Sequence, residues 1–461
     1  MRSATMYSLF PYGSTLKVVT VEATVQRGLP NFQIIGLPDK TVREAVVRVK
    51  TAIIASGFKF PLGNVTIQIG PSDLPKRGAQ FDLAIALAIL CTETGGGLTC
   101  LALGELSLSG HVGMTPIALP AMQEANRQDL PWLMNTHAPE YVGRVVNTLG
   151  MAMNALSKNE WVTHEEVAAY EPMHPHPYRL DSIKGNLPAK RALVIALAGK
   201  HNLLLTGPAG AGKTMLAQAA VELMPSLSKD EEVRLSIMEY AAGMPTRSLY
   251  AAPLRAPHHL SSEKVLLGYA ASARAGEYSL AEGGILFLDE LPHMPRKTLD
   301  ALREVMESRG IHLRSQYGEI AYPANAIVIA ARNACPCGRK GSGEDCVCSP
   351  SRIASYARTL SAPLLDRFPL NVSLDYALTS DGELSGRECA ECIARVRSLP
   401  TRPGTKKIEG KLRGVSERLD LSFRAQEHIR SVSQTIAQLV GADEVGDEHM
   451  HEALQYRLRS E

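Results

Sequence analysis

The chain has 461 residues, of which 45% are hydrophobic and 21% charged, and its formal net charge is +2. This composition is typical of a globular protein with roughly two to four domains, each large enough to bury a core. The small net charge neither requires nor excludes a polyanionic partner, so contacts with nucleic acid would need a local basic patch. The opening stretch MRSATMYSLFPYGST lacks the apolar run of a signal peptide, and no segment approaches the ~18 apolar residues of a membrane span. We therefore expect a cytoplasmic protein without membrane contact, whose eight cysteines are reduced.

Residues 1–168 are predicted to form a mixed α/β domain. Leu16–Val25 is rich in Val and Thr, and Val65–Ile69 alternates apolar and polar side chains, so both stretches predict strands. Between them, Thr41–Ala55 carries apolar residues at helical spacing. A further helix is predicted over Phe81–Cys91, which is apolar nearly all round and therefore expected to be buried.

A proline-rich segment separates this domain from the next. Glu171–Ser182 contains three prolines, which oppose both helices and sheet pairing, so we place a linker at residues 169–182. Residues 183–373 then alternate predicted strands and helices, which is typical of a parallel α/β sheet. Asn202–Thr206 and Ile285–Leu288 are mostly apolar, as expected of strands that are covered on both faces.

The remainder of the chain, residues 374–461, is predicted to be a linker and a helical domain. It begins with a polar stretch that includes SLPTRPGTKK. Its final block, Ser422–Arg457, places four apolar residues on one face of a helix: Ile429, Val432, Ile436 and Leu439.

The most specific motif is GPAGAGKT, which occupies Gly207–Thr214. It fits G-x-x-x-x-G-K-[ST] and lies between a predicted strand and an amphipathic helix, the context of a phosphate-binding loop. Such a loop directs backbone N–H groups at phosphate oxygens, and the helix N-terminus adds its positive end. We predict that ATP is bound here, with Lys213 on its β- and γ-phosphates and Thr214 on Mg²⁺. The other loop residues would supply backbone contacts: Gly207, Pro208, Ala209, Gly210, Ala211 and Gly212.

Two adjacent carboxylates, Asp289 and Glu290, follow the apolar segment GGILFL. They are expected at the carboxyl end of a buried strand, where ligands bind in an open α/β sheet. There Asp289 would hold Mg²⁺, and Glu290 would orient and polarise the attacking water. Solvated acids at a strand end are the alternative, which the upstream phosphate loop disfavours.

Taken together, these and other stretches resemble the YifB/ComM group of magnesium-chelatase-like AAA+ ATPases over essentially the whole chain. The stretches that carry the resemblance are GPAGAGKTMLA, RAPHH, AGEYSLAEGGILFLDELP, AARNACPCG, SAPLLDRFPL and LSFRAQEHI. The resemblance implies an α/β fold with a Lon-protease-like α+β N-terminal domain, an AAA+ P-loop core on a parallel sheet, and a C-terminal helical lid. In the N-terminal stretch PKRGAQFDLAIAL, Gln80 (or Ala79) occupies the position of the nucleophilic serine of the protease. We therefore expect no peptidase activity.

The resemblance also implies roles for three further residues. Asn333 falls at the sensor 1 position, which orients the water and the γ-phosphate. Arg367 matches the arginine finger, and Arg424 matches sensor 2 in the lid. A surface ion pair is the alternative for any single arginine. Because a finger acts on the nucleotide of the neighbouring subunit, the resemblance implies a homo-oligomeric ring, which we expect to be a hexamer.

The stretch Ile311–Tyr322 is predicted to form a hairpin, which corresponds to the family's hairpin before sensor 1 in the central pore. Arg314 and Tyr317 would contact a DNA phosphate and stack on a base, although a plain surface hairpin is an equal alternative. The resemblance implies an ATP-driven DNA motor, a branch-migration helicase in homologous recombination or natural transformation. A protein remodeller and a chelatase-type motor subunit are the alternatives.

Four cysteines lie within NACPCGRKGSGEDCVC, as two Cys-x-Cys pairs around a glycine-rich loop: Cys335, Cys337, Cys346 and Cys348. Four thiolates can bind Zn²⁺ tetrahedrally, and this loop has no apolar residue of its own to bury. Free thiols in a loop are the main alternative, and a reducing compartment disfavours disulfides. We expect the zinc to be structural, because four protein ligands leave no open position. The loop precedes the predicted arginine finger and is expected near the subunit interface.

Overall fold

The structure is a computed structural model that describes residues 1–94, 99–165, 178–245, 250–316, 318–375 and 384–457. Its N-terminal part contains eight strands, which are β1 Arg2–Tyr12, β2 Thr15–Gln26, β3 Asn31–Ile35, β4 Asn64–Gly70, β5 Leu101–Leu103, β6 Trp132–Met134, β7 Tyr141–Val145 and β8 Val162–His164. They form one mixed sheet in the order β3-β4-β2-β1-β5-β6-β7-β8. Four helices accompany this sheet: α1 Lys40–Ala55, α2 Asp82–Thr94, α3 Ala118–Arg127 and α4 Leu149–Lys158.

The elements predicted for this region are confirmed. The strands expected at Leu16–Val25 and Val65–Ile69 form the inner parts of β2 and β4, and α1 covers the helix expected at Thr41–Ala55. Every side chain from Leu83 to Ile89 in α2 is fully buried, as the unbroken apolar sequence predicted. α2 packs in one apolar cluster with β1, β2 and β4, so it is the central helix of the N-terminal core.

In the second part of the chain, the described residues form nine strands, which are β9 Leu203–Thr206, β10 Leu254–Arg255, β11 Gly268–Tyr269, β12 Arg274–Ala275, β13 Ile285–Leu288, β14 Gly310–Ser315, β15 Gly318–Pro323, β16 Ile327–Arg332 and β17 Leu370–Ser373. Five of them form a parallel sheet in the order β10-β13-β16-β9-β17. The other four form two antiparallel ribbons, β11-β12 and β14-β15. All five strands of the sheet therefore deliver their carboxyl ends to one edge.

Helices surround the parallel sheet and make up most of the C-terminal part of the chain. They are α5 Arg179–Ser182, α6 Leu187–Gly199, α7 Lys213–Glu222, α8 Lys229–Ala242, α9 Glu263–Leu267, α10 Arg296–Ser308, α11 Pro350–Ala357, α12 Ala362–Leu365, α13 Gly386–Ser398, α14 Glu409–Leu419, α15 Phe423–Leu439 and α16 Asp447–Gln455. The predicted linker 169–182 lies largely outside the described residues. Its end is helical rather than irregular, because the Asp181 carboxylate accepts a hydrogen bond from the Tyr178 N–H and closes the first turn of α5.

The parallel sheet is covered on both faces, which explains its apolar strands. One face packs against α6, α7, α13, α15 and α16 in a single apolar cluster. The other face packs against α8 and α10 in a second cluster. The predicted fold class is therefore confirmed: an α/β chain with a mixed N-terminal sheet, a parallel-sheet core and a helical C-terminal part.

Contacts between the two sheet-containing parts are specific. The Lys229 ammonium lies 3.0 Å from the buried Glu140 carboxylate. The Arg77 guanidinium donates to the Ser272 carbonyl oxygen at 2.8 Å. Tyr12, at the end of β1, packs against the apolar cluster that contains Ile320 of the β14-β15 hairpin. The hairpin therefore rests on the N-terminal domain.

Candidate active site

The phosphate loop Gly207–Thr214 connects the end of β9 to the start of α7. Gly212 precedes the first residue of α7 and has a φ of +91°, a conformation that residues with a Cβ rarely adopt. The helix N-terminus and the carboxyl edge of the sheet therefore meet at this loop, as the motif predicted.

Lys213 is buried within the loop. Its Nζ donates hydrogen bonds to the carbonyl oxygens of Gly207 (2.8 Å) and Pro208 (2.7 Å) and to Asn333 Oδ1 (3.0 Å). These acceptors are neutral, and burial lowers the pKa of the ammonium, while the charges of Asp289 and Glu290 oppose that shift. The structure thus brings the predicted lysine and the predicted sensor 1 asparagine into direct contact.

The predicted magnesium ligands also lie together. The Thr214 hydroxyl donates to Asp289 Oδ2 at 3.1 Å, and Asp289 Oδ1 accepts from the Glu290 N–H at 2.8 Å. Mg²⁺ prefers oxygen ligands at about 2.0–2.1 Å in octahedral geometry, which separates neighbouring ligands by about 2.9 Å. The hydroxyl and carboxylate oxygens therefore fit two adjacent positions around Mg²⁺.

Glu290 has a contact that the sequence did not predict. Its Oε2 lies 3.3 Å from Nδ1 of His259, the last residue of the RAPHH motif, Arg255–His259. The backbone φ of Glu290 is +49°, in the left-handed region. RAPHH begins at Arg255, the last residue of β10, and β10 pairs with β13, the strand that ends directly before Asp289. The pairing of β10 with β13 brings RAPHH next to the two carboxylates. Finding this contact from the sequence would therefore have required the order of the strands in the sheet.

Arg367 and Arg424 come together at a different place. Both donate to one carboxylate: Arg367 Nη2 lies 2.5 Å from Glu307 Oε2, and Arg424 Nη2 lies 2.7 Å from Glu307 Oε1. Arg424 is also 3.8 Å from Asp366. Among the described residues, these ion-pair partners lie in α10 and directly after α12 rather than in the phosphate loop. Arg367 is only 8% exposed, and its Nε and Nη1 find no hydrogen-bond acceptor in the described part of the chain.

The four cysteines of the glycine-rich loop converge. All their Sγ atoms lie within 4.8 Å of one another. Cys335 Sγ lies 3.4 Å from that of Cys337 and 3.6 Å from that of Cys346. Four thiolates at about 2.3 Å from Zn²⁺ form a tetrahedron with edges of about 3.8 Å, so the arrangement fits a zinc ion.

The cysteine loop also contacts the phosphate loop. The Ala209 N–H donates to the carbonyl oxygen of Gly338 at 3.1 Å. A Cβ at Gly338 would lie 3.2 Å from Cβ of Ala209. The Lys340 N–H donates to Cys335 Sγ at 3.3 Å, which joins the same turn to the cluster. The sequence did not predict this contact, because nothing local relates residues that far apart in the chain.

The remaining predicted residues have simpler surroundings. Arg314 is exposed on β14, and Tyr317 lies outside the described residues. Gln80, which the resemblance places at the position of the protease nucleophile with Ala79 as the alternative, is 5% exposed. Its side chain donates to the Arg77 carbonyl oxygen at 2.8 Å and accepts from the Tyr240 hydroxyl at 3.2 Å. This position is therefore closed by the core domain and carries an amide, which is not a nucleophile.

Comparisons with known proteins agree with the site. Family profiles described as magnesium chelatase subunit ChlI match residues 179–381 and 21–136, and the profile of the ChlI C-terminal region matches residues 401–457. Protein YifB of Salmonella typhimurium is 35% identical over 496 residues, covering 99% of this chain and 97% of the relative. Competence protein ComM of Haemophilus influenzae is 34% identical over 501 residues, covering 99% of this chain and 98% of the relative. The chain belongs to the YifB/ComM family of magnesium-chelatase-like proteins.

In this YifB/ComM family member the AAA+-like parallel sheet lies within residues 179–381, the stretch that the magnesium chelatase profile matches, and membership of this family supports ATPase activity with ATP and Mg²⁺. Across the described ranges, none of its helices has the length and apolar character needed to cross a membrane.

Proposed function

We propose that this YifB/ComM family member is a ring-forming ATPase that translocates on DNA, as a branch-migration helicase in recombination or natural transformation. The observation that carries the ATPase assignment is the convergence of Lys213, Asn333, Thr214 and Asp289 at the carboxyl edge of the parallel sheet. In this proposal residues 1–168 form the N-terminal domain, 169–182 a linker, 183–373 the motor core, and 374–461 a linker and lid.

The chemistry of hydrolysis follows from the positions of these residues. Mg²⁺, held by Thr214 and Asp289, would neutralise charge on the β- and γ-phosphates. Lys213 would exchange its neutral acceptors for phosphate oxygens, and Asn333 would then orient the γ-phosphate. Glu290, with its carboxylate at the end of the strand, would polarise the attacking water. The backbone of the whole loop Gly207–Thr214 would hold the phosphates.

The ring is supported by the arrangement of the two predicted arginines. Arg424 pairs with Glu307 and Asp366, whereas Arg367 pairs with Glu307 alone, and its Nε and Nη1 find no acceptor in the described part of the chain. An anion supplied from outside the subunit would accept from these two donors of Arg367, and the γ-phosphate at a neighbouring site meets that requirement. We therefore assign Arg367 to catalysis in trans, as the arginine finger, and Arg424 to the sensor 2 position of the lid, within a homo-oligomer that we take to be a hexamer.

The cysteine cluster is assigned to structural zinc. Four thiolates from Cys335, Cys337, Cys346 and Cys348 would take the four tetrahedral positions around Zn²⁺ and would leave none for water. Such thiolates require a reducing compartment, which supports a cytoplasmic location.

The DNA substrate is supported by the relative ComM, which is named a competence protein, and by the exposed Arg314 on the hairpin. Tyr317 would complete that contact. A chelatase-type motor subunit is the second candidate, since the matching family profiles describe a magnesium chelatase subunit. A protein remodeller is the third.

The experiment that separates these candidates measures the ATPase rate of the purified chain alone, with single-stranded DNA, with branched DNA, and with unfolded casein. We expect stimulation by DNA and displacement of a branched strand. Stimulation by casein alone would favour remodelling, and no response to either polymer would favour a chelatase-type motor. Native mass spectrometry with a non-hydrolysable ATP analogue tests for the hexamer.

A further inference from the structure

A cavity of about 670 Å³ lies at the carboxyl edge of the parallel sheet, beside the candidate active site. It is lined by Thr206, Arg332 and Ser373, the last residues of β9, β16 and β17, and by residues of α11, α12 and α15. Asn333 is part of the lining, but the described residues of the phosphate loop and the two carboxylates after β13 are not. Sites for small molecules usually measure about 300–1,000 Å³, so this cavity could hold a ligand that the nucleotide scheme above does not use.

A connected row of polar side chains crosses the sheet along one wall of this cavity. Arg332 Nε donates to Thr206 Oγ1 at 3.1 Å, and the Thr206 hydroxyl donates to Asn371 Oδ1 at 3.4 Å. The Asn371 N–H donates to the carbonyl oxygen of Tyr456 at 2.8 Å, which places the next residue, Arg457, at the same edge of the sheet. Apart from Tyr456, these residues all line the cavity. The polar wall is therefore built by β16, β9, β17 and the segment after α16.

Arg457 carries a positive charge that the described residues do not fully balance. Its Nη1 is shielded from solvent and has no hydrogen-bond acceptor in the described part of the chain. Burial lowers the pKa of this guanidinium, and the charge of Asp366, the acidic residue of the lining, opposes that shift. Asp366 also lies 3.8 Å from Arg424, so its charge is shared. An arginine stays protonated in such surroundings, and an anion in the cavity would therefore be stabilised by it.

The lining combines an excess of positive charge with apolar surface. Three basic residues, Arg332, Lys340 and Arg457, accompany one acid, Asp366, which leaves an excess of two positive charges. His428 also lines the cavity, and burial lowers the pKa of its imidazole, which favours the neutral ring at pH 7. Much of the remaining wall consists of buried apolar side chains: Leu360, Phe368, Ile429 and Val432. A phosphate monoester, with a charge of about −2 at pH 7, matches the excess, whereas a carboxylate would balance half of it.

We propose that this cavity binds a small phosphate monoester with an aromatic or aliphatic body, whose phosphate is held by Arg457 and Arg332 at the edge of the sheet. The inference goes beyond the proposed ATPase function and does not depend on it. The lining joins strands of the core to α15 and to the segment after α16, so the site exists only in the folded chain. A bound ligand should therefore stabilise the native state by mass action.

The experiment titrates the full chain with phenyl phosphate by isothermal titration calorimetry, with Mg²⁺ and saturating ADP present so that the phosphate loop is filled. We expect one binding site per chain and a melting temperature that rises with the concentration of phenyl phosphate. Inorganic phosphate lacks the apolar body and phenol lacks the charge, so each should bind at least about tenfold more weakly.

Three variants test the residues of the lining. Arg457→Met keeps a long side chain but removes the charge, and we expect the affinity for phenyl phosphate to fall by about ten- to a hundredfold. The matched control Arg418→Met removes the same charge from an exposed position on α14, outside the lining, and should stay within about twofold of wild type. Ala357→Phe adds bulk to the lining at an exposed residue of α11 and should weaken binding by about fivefold or more, which keeps the test decisive if Arg457→Met does not fold.

Several outcomes would overturn the proposal. These are a wild type that does not bind phenyl phosphate, affinities that are unchanged in Arg457→Met and Ala357→Phe, and an equal loss in Arg418→Met. Inorganic phosphate bound as tightly as phenyl phosphate would contradict the assigned ligand class. Binding that disappears once ADP is added would place phenyl phosphate in the phosphate loop instead. If the chain does not bind ADP at all, the proposed ATPase function fails, while the titration without ADP still tests the cavity.

Discussion

The contact between the cysteine loop and the phosphate loop allows us to predict how alanine substitutions in the cysteine loop change ADP binding. Gly338 has a φ of +75° and lies against Ala209, whereas Gly343 of the same loop has a φ of +81° and no atom of the described residues within 4 Å of its Cβ position. An alanine at either place must adopt the left-handed conformation, which costs about 1 kcal/mol. Only at Gly338 would the new methyl group also press on the phosphate loop, at 3.2 Å from Cβ of Ala209. Comparing Gly338→Ala with Gly343→Ala therefore separates the effect of backbone strain from the effect of contact with the phosphate loop.

The expected loss of ADP affinity follows from the hydrogen bond that the added methyl group would disturb. The Ala209 N–H to Gly338 carbonyl bond is worth a net of about 1 kcal/mol, which corresponds to roughly a fivefold change in an equilibrium constant. We expect Gly338→Ala to weaken ADP binding by about fivefold, measured by titration with a fluorescent ADP analogue, and Gly343→Ala to stay within about twofold of wild type. Equal dissociation constants for the two variants would show that the cysteine loop does not hold the phosphate loop in its binding conformation.

Three further predictions test the assigned residues. Glu290→Gln should bind ATP normally while hydrolysis falls by about a hundredfold or more, and Lys213→Ala should lose binding as well; a Glu290→Gln variant with wild-type turnover would remove Glu290 from catalysis. Inactive Arg367→Ala subunits mixed with inactive Lys213→Ala subunits should regain part of the ATPase activity, because the two lesions can lie on different sides of a shared interface; mixed rings without any recovery would contradict action in trans. The purified chain should carry near one zinc per chain by elemental analysis, and Cys346→Ser/Cys348→Ser should lose it; four thiols open to a labelling reagent in zinc-free wild type would exclude the metal.

The sequence predicted the elements whose pattern is local. β13 occupies the stretch Ile285–Leu288 expected of a buried strand, and α2 is buried as its apolar sequence requires. The phosphate loop was recognisable because its glycines, lysine and threonine are consecutive. In each case neighbouring residues carry the whole signal, so no knowledge of the tertiary fold was needed.

Contacts between distant segments could not be predicted in this way. The His259–Glu290 contact depends on β10 pairing with β13, and the shared use of Glu307 by Arg367 and Arg424 depends on how the C-terminal helices pack. Spacing along the chain does not encode such juxtapositions. The cysteine cluster is intermediate, because the spacing suggested a metal site but did not indicate that its loop contacts the phosphate loop.

The burial of Lys213 couples nucleotide binding to the stability of the fold. Its ammonium is withdrawn from water among neutral oxygens of Gly207, Pro208 and Asn333, and a buried charge is held at a free-energy cost. Phosphate oxygens bound at the loop would add negative charge beside the ammonium only in the folded protein. The native state would therefore gain stability by mass action as the ligand concentration rises.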